Sequence, residues 1–110
     1  MKISKELAKG STGLLVLSVI AEQEMYGYQI IQVIAARSES VFNLNEGTLY
    51  PILHALEKEG CLTSYRAISE SGRERKYYRI TRQGELCLKA HKEEWKTFFH
   101  AVNKIINGES

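Results

Sequence analysis

Between Leu44 and Leu62 apolar residues recur at helical intervals: Leu49, Ile52, Leu53 and Leu56 fall three and four positions apart and form one stripe. Thr48, Tyr50, His54, Glu57 and Lys58 lie off that stripe. Asn45 is placed to cap the first N–H groups, Glu46 sets a carboxylate at the positive end of the helix dipole, and Gly60 supplies a left-handed stop. Pro51 lacks an N–H and crowds the carbonyl four residues back, so the first turn is expected to be loose or kinked. A helix marked at both ends, with one face packed and the other free, is suited to being read by another molecule.

Upstream, the pattern predicts a short helix over Ile3 to Lys9 and, capped by Ser11 or Thr12, a second run to about Glu24. The second is apolar on most sides, through Leu14, Leu17, Val19 and Ile20, and therefore belongs in the centre of a core. Met25-Tyr26-Gly27-Tyr28 breaks it, and Tyr28 to Arg37 resumes as a helix with Ile30, Ile31, Val33 and Ile34 until Ser38-Glu39-Ser40. The short link to Asn45 makes this a helix-turn-helix arrangement.

After Gly60 the period changes to two. Leu62, Ser64, Arg66 and Ile68 alternate with Thr63, Tyr65 and Ala67, a strand; Ser69 to Gly72 is a turn; Arg75 to Ile80 is a second strand. Such a two-stranded hairpin is marginal alone and must rest on the helices through Tyr78 and Ile80. Thr81 then caps a last helix to about Asn107, roughly 40 Å long. Along it Leu88, His91, Trp95, Phe98, Val102 and Ile105 recur at alternating spacings of three and four, widened by Phe99 and Ile106. Leaving that seam in water forfeits about 1.5–3 kcal/mol for each large side chain. A second copy of the chain is the simplest cover, with the chain's own opening helix as the alternative. The expected fold is thus mainly α with a small β-hairpin: a winged helix-turn-helix over 1–81 and a long C-terminal dimerisation helix over 82–110.

A chain of 110 residues, 44% hydrophobic and 25% charged, fits one domain. Its net charge of +2 is small, but the whole excess lies in the middle third: Gly72 to Arg82 carries Arg73, Arg75, Lys76, Arg79 and Arg82 against Glu74 alone. That hairpin can meet phosphate, or be an ordinary solvated surface. Cys61 and Cys87 stand isolated in sequence, with no C-x-x-C and no histidine at ligand spacing, which suggests buried structural thiols and neither metal nor disulfide framework. The longest apolar run, Leu14 to Ala21, is too short to span a membrane, and no clear cleavage site follows it, so a cytoplasmic protein is expected. His54, His91 and His100 assemble no acid, base or nucleophile set; no catalytic residue, metal or cofactor is expected.

These residues resemble the PadR-like transcriptional regulators, in the short form with a single C-terminal dimerisation helix. The likeness rests on Tyr26-Gly27-Tyr28, on Gly47-Thr48-Leu49-Tyr50-Pro51, on Leu56-Glu57 with Glu59-Gly60, and on Arg75 to Thr81 with Gly84, covering about residues 12 to 90. It implies a winged helix-turn-helix that dimerises through its last helix, binds palindromic operators and usually represses nearby genes until a small molecule or other signal releases it. Cys61 stands where an aliphatic residue often follows the terminating glycine.

The leading reading is a sequence-specific DNA-binding regulator, with Thr48, Tyr50 and His54 facing the major groove and Arg73, Arg75 and Lys76 on phosphate or in the minor groove. Tyr26 and Tyr28 are placed to touch backbone phosphate, one of the two being core; Tyr28 is the candidate contact. The dimer seam comprises Leu88, His91, Trp95, Phe98, Phe99, Val102 and Ile105. Within it Trp95, Phe98 and Phe99 either fill the dimer core, the favoured case, or line a pocket for a small planar aromatic effector. The competing reading is a winged-helix protein-interaction module that does not bind DNA.

Overall fold

The computed structural model describes residues 10–108, and the helix expected over Ile3 to Lys9 lies outside them. Among the described residues run four helices and three strands: α1 (Thr12–Glu22), β1 (Met25–Tyr26), α2 (Gly27–Arg37), α3 (Glu46–Lys58), β2 (Leu62–Ile68), β3 (Glu74–Ile80) and α4 (Arg82–Ile106). The core forms where the apolar faces of the first three helices meet. Val16, Leu17 and Ile20 of α1, Ile30 and Ile34 of α2, and Leu49, Leu53 and Leu56 of α3 are all buried together, with Leu62 and Tyr78 of the sheet closing one side.

Two boundaries differ from the periodicity. α1 stops at Glu22 rather than near Glu24, because Met25 and Tyr26 are drawn into a strand against Tyr78 and Tyr77 of β3. The expected two-stranded hairpin is therefore a three-stranded antiparallel sheet in the order β1-β3-β2. A strand of two residues carries no alternation to detect. The turn between α2 and α3 begins where Ser38-Glu39-Ser40 marked it, but its backbone path was not legible in sequence. It uses Glu39 and Ser40 at positive φ, held by the Ser40 N–H on the Ala35 carbonyl at 2.8 Å and the Phe42 N–H on Ser38 Oγ at 3.0 Å.

The ends of α3 follow the reading closely. Asn45 Oδ1 accepts the Thr48 N–H at 2.9 Å. At the other end the Cys61 N–H reaches the Leu56 carbonyl at 2.9 Å and the Gly60 N–H the Glu57 carbonyl at 3.0 Å, the paired bonds that a left-handed Gly60 makes available. The helix is unbroken across Pro51.

The end of α3 and the start of α4 are fastened together. Thr81 Oγ1 accepts the Gly84 N–H at 3.0 Å, capping α4, and donates to the Gly60 carbonyl at 2.6 Å. The Thr81 N–H reaches the Cys61 carbonyl at 3.0 Å and Gln83 Nε2 the Glu59 carbonyl at 2.7 Å, so three terminal carbonyls of the α3 stop are taken by residues opening α4. The approach is close enough to require glycine, since a Cβ on Gly84 would lie 2.1 Å from the Cys61 carbonyl oxygen.

Beyond that joint α4 leaves the body. Leu88, placed on the seam by its spacing, is instead buried in the core of its own chain. Trp95, Phe98, Phe99, Ile105 and Ile106 are exposed. The radius of gyration, 15.5 Å, exceeds the roughly 13 Å of a compact chain of this size because the helix projects. Replacing Gly84 by Ala is expected to cost about 1–3 kcal/mol through overpacking against backbone. Urea unfolding checks it, and an unchanged midpoint would show that the joint tolerates separation.

Candidate nucleic-acid interface

The stripe that buries Leu49, Leu53 and Leu56 leaves the opposite side of α3 open, and Thr48, Pro51, His54, Ala55 and Lys58 are exposed there. Thr48 and His54 thus stand as the sequence placed them. Pro51 and Ala55 were not among the expected contacts, because apolar or small residues give no chemical signal of their own, though such side chains suit a thymine methyl. Tyr50 is different. Its ring is partly exposed, but its hydroxyl turns back onto α2, where a Cβ on Gly27 would lie 2.6 Å from it. The Tyr-Gly-Tyr and Gly-Thr-Leu-Tyr-Pro segments are therefore two halves of one contact: Gly27 makes room for Tyr50, which seats α3 against the first turn of α2. Tyr28, in that same turn, is 54% exposed, whereas Tyr26 is half-buried.

The hairpin cations do not converge. Arg73 sits exposed at the tip and has no ion-pair partner among the described residues. Arg75 lies half-buried with its guanidinium 5.0 Å over the Tyr26 ring. Lys76 faces the other way, towards α3, with Nζ 3.9 Å from Glu57 Oε1 and 5.5 Å from the centre of the Tyr78 ring. Glu57 also accepts from Ser64 Oγ at 2.7 Å, so one carboxylate ties both hairpin strands to α3. Arg66 pairs with Glu74 at 3.3 Å and Arg79 with Glu24 at 3.0 Å. Lys76 and Arg79 are thus answered within the fold, whereas Arg73, Arg75 and Arg82 keep charges unmatched by a carboxylate among the described residues.

Strand register explains this division. Tyr26, Tyr77 and Tyr65 are direct partners across the three strands and share the outer face, while Met25, Tyr78 and Ser64 face the helices. The outer rings form a row, Tyr26 edge-on to Tyr77 at 5.4 Å and Tyr77 stacked on Tyr65 at 5.6 Å, with Arg75 over one end and Arg79 4.9 Å over the other. Glu24 closes the row, accepting from the Tyr65 hydroxyl and from Arg79 Nε. The Tyr65 bond, then Arg79, hold the Glu24 carboxyl below the usual carboxylate range, and the same carboxylate pushes the Tyr65 hydroxyl up. Burial pushes the Tyr78 hydroxyl up, and that oxygen has no hydrogen-bond partner among the described residues.

Along α4 the side chains of His91, Trp95, Phe98, Phe99 and Ile105 are exposed and Val102 is half-buried. Trp95 lies 6.1 Å from Phe98 and 6.0 Å from Phe99, ring centre to ring centre. Among the described residues no cluster of three or more His, Cys, Asp or Glu is placed to hold a metal ion, and no helix is long and apolar enough to cross a membrane.

The family model of the PadR-like transcriptional regulators matches residues 16–90, which include both helices of the helix-turn-helix, the hairpin and the α3–α4 joint. The chain belongs to that family. Transcriptional regulator Rv3488 of Mycobacterium tuberculosis is 28% identical over 96% of this chain and 92% of its own length. A transcriptional regulator from Clostridium thermocellum superposes with a TM-score of 0.83 at 33% identity, covering 91% of this chain and 97% of that one. The PadR-like regulator BC4206 of Bacillus cereus gives 0.83 at 30% identity, covering 96% and 100%. The protein is accordingly a PadR-like transcriptional regulator with a winged-helix fold.

In this PadR-like chain the Glu24 clasp makes stability depend on acid pH. A depressed carboxyl pKa contributes stability that is present above the unfolded value, about 4.3, and is lost as pH falls through the lower folded value. Glu24→Gln should therefore lower the melting temperature at neutral pH, with the gap to the parent narrowing below pH ~4. A gap independent of pH would remove the ionic clasp from the account.

Proposed function

We propose that this PadR-like regulator is a repressor that binds a palindromic operator in double-stranded DNA as a homodimer and is released by a small molecule or other signal. The observation that carries this reading is the free face of α3, Thr48, Pro51, His54, Ala55 and Lys58, held beside a hairpin whose Arg73 is uncompensated. α3 enters the major groove, Tyr28 and Arg75 flank it on phosphate, and Arg73 reaches the backbone or minor groove at the wing tip. Lys76 contributes less, because DNA must first draw it from Glu57. Residues 1–81 form the reading unit and residues 82–110 the pairing unit. The protein acts in the cytoplasm, without cofactor and without catalysis.

The dimer is supported by the projecting α4, where Trp95, Phe98, Phe99 and Ile105 lie in water in a single chain. His91 and Val102 complete that seam, and Leu88 anchors it to the body. A two-fold dimer presents two copies of α3, so half-sites should lie about 34–36 Å, or a multiple, apart. Trp95, Phe98 and Phe99, doubled at the seam, fill the interface or accept a planar aromatic effector. Their mutual packing within one protomer favours filling. An effector seated there acts only by binding one spacing of the recognition helices better than another. The ion-paired wing favours a second reading, a protein-interaction module without DNA binding.

Phe98→Glu with Val102→Glu should convert the dimer to monomers in sedimentation. A wild-type chain that is monomeric at micromolar concentration removes the homodimer. For DNA, selection from a random duplex pool should return a palindrome. Arg73→Ala with Arg75→Ala should then flatten the salt dependence of binding by up to ~0.9 in log–log slope per lost phosphate contact. An unaltered slope would take the wing off phosphate, and retention of no duplex at low salt would favour the protein-interaction module.

A further inference from the structure

The two cysteines, far apart in sequence, meet at the joint between α3 and α4. Cys61 follows Gly60 directly and is buried; its carbonyl accepts the Thr81 N–H at 3.0 Å and lies against the backbone of α4 at Gly84. Cys87 is one helical turn beyond Gly84, on the same face of α4, half-buried against the core. The Cys87 side chain is close enough to act on the Cys61 thiol. These are the chain's two cysteines, and no third ligand completes a metal site around them among the described residues.

We propose that Cys61 and Cys87 are an oxidation site for hydroperoxides, closing reversibly to an intramolecular disulfide that fastens the end of the recognition helix to α4. The more accessible Cys87 reacts first. Its sulfur attacks one peroxide oxygen, the O–O bond breaks, and Cys87 becomes a sulfenic acid while the other oxygen leaves as water, taking up the thiol proton. The Cys61 sulfur then displaces the sulfenic oxygen, which departs as a second water with the Cys61 proton. Two thiols and one hydrogen peroxide thus give one disulfide and two waters, the two electrons of the thiols going to the peroxide. Burial foremost, and the adjoining Cys87, push the Cys61 thiol up, so Cys61 is the poorer initiator and the first attack falls to Cys87.

The position gives the bond a consequence. Closing two sulfurs to about 2.05 Å draws α4 towards the α3 stop at the point where Gly84 already touches the Cys61 carbonyl. Any change of α4 angle there is carried along a 25-residue helix. This consequence rests on the DNA-binding reading above, whereas the thiol chemistry does not.

The test uses the full chain, reduced and then exposed to stoichiometric hydrogen peroxide. Mass spectrometry should show loss of two hydrogens, a peptide pair linking Cys61 to Cys87, and complete reversal by dithiothreitol. Cys61→Ala should leave a sulfenic acid on Cys87 that dimedone traps, and Cys87→Ser should leave Cys61 reduced. Oxidised wild type should bind the duplex selected by reduced protein at least several-fold more weakly, with Cys87→Ser unaffected by peroxide. Independent oxygen additions at the two sulfurs, or a disulfide between chains, overturns the site. A disulfide that forms without changing affinity overturns the switch. If reduced protein selects no duplex, the DNA-binding reading and the switch fall together, and the mass result alone decides the oxidation site.

Discussion

Everything that makes this chain more than a small helical core passes through the contact between Gly60-Cys61 and Thr81-Gly84. One threonine hydroxyl caps α4 with its lone pair and spends its proton on the Gly60 carbonyl, so the start of one helix satisfies the end of another. Backbone carbonyls left by a helix stop need partners, and here Thr81 and Gln83 supply them in place of water. The result is a rigid corner between a helix with a free face and a helix with an unpartnered one. Gly84 is the steric condition for that corner, because the carbonyl of Cys61 occupies the space that a side chain would need.

The wing is held by a different principle. Its charges are arranged in opposed pairs, Arg66 with Glu74, Lys76 with Glu57 and Arg79 with Glu24, between groups that are largely exposed. Each such pair is worth little on its own and is screened by salt. Together with the Tyr26–Tyr77–Tyr65 row of rings they fix the direction of the hairpin while lowering its positive field. Specificity in such an interface would come from the shape and chemistry of α3, since a wing whose charge is partly compensated supplies reduced non-specific attraction.

The correspondence between sequence and structure is uneven for physical reasons. The ends of α3, the cap at Thr81 and the extent of α4 were legible because capping and helical periodicity are local: the bonds that define them join residues within one or two turns. The three-stranded sheet was not, since β1 exists only by pairing with a strand fifty positions away, and two residues carry no period of their own. Candidate contacts divided in the same manner. Thr48 and His54 lie where a helical wheel puts them, but the wheel cannot say that the Tyr50 hydroxyl folds back on Gly27 or that Arg75 stacks on Tyr26.

By itself the sequence determined the kind and order of the longer elements from α1 to α4, the buried stripe of α3, the long amphipathic α4 and the family to which it belongs. Those follow from spacing, glycine stops and motif order, which act over short distances. Only the tertiary structure decided that Leu88 serves its own core, that the wing cations point in three directions, and that Cys61 meets Cys87. Each of these depends on which faces of distant elements come together, and that is set by packing the whole core at once, a quantity that no segment of the chain contains.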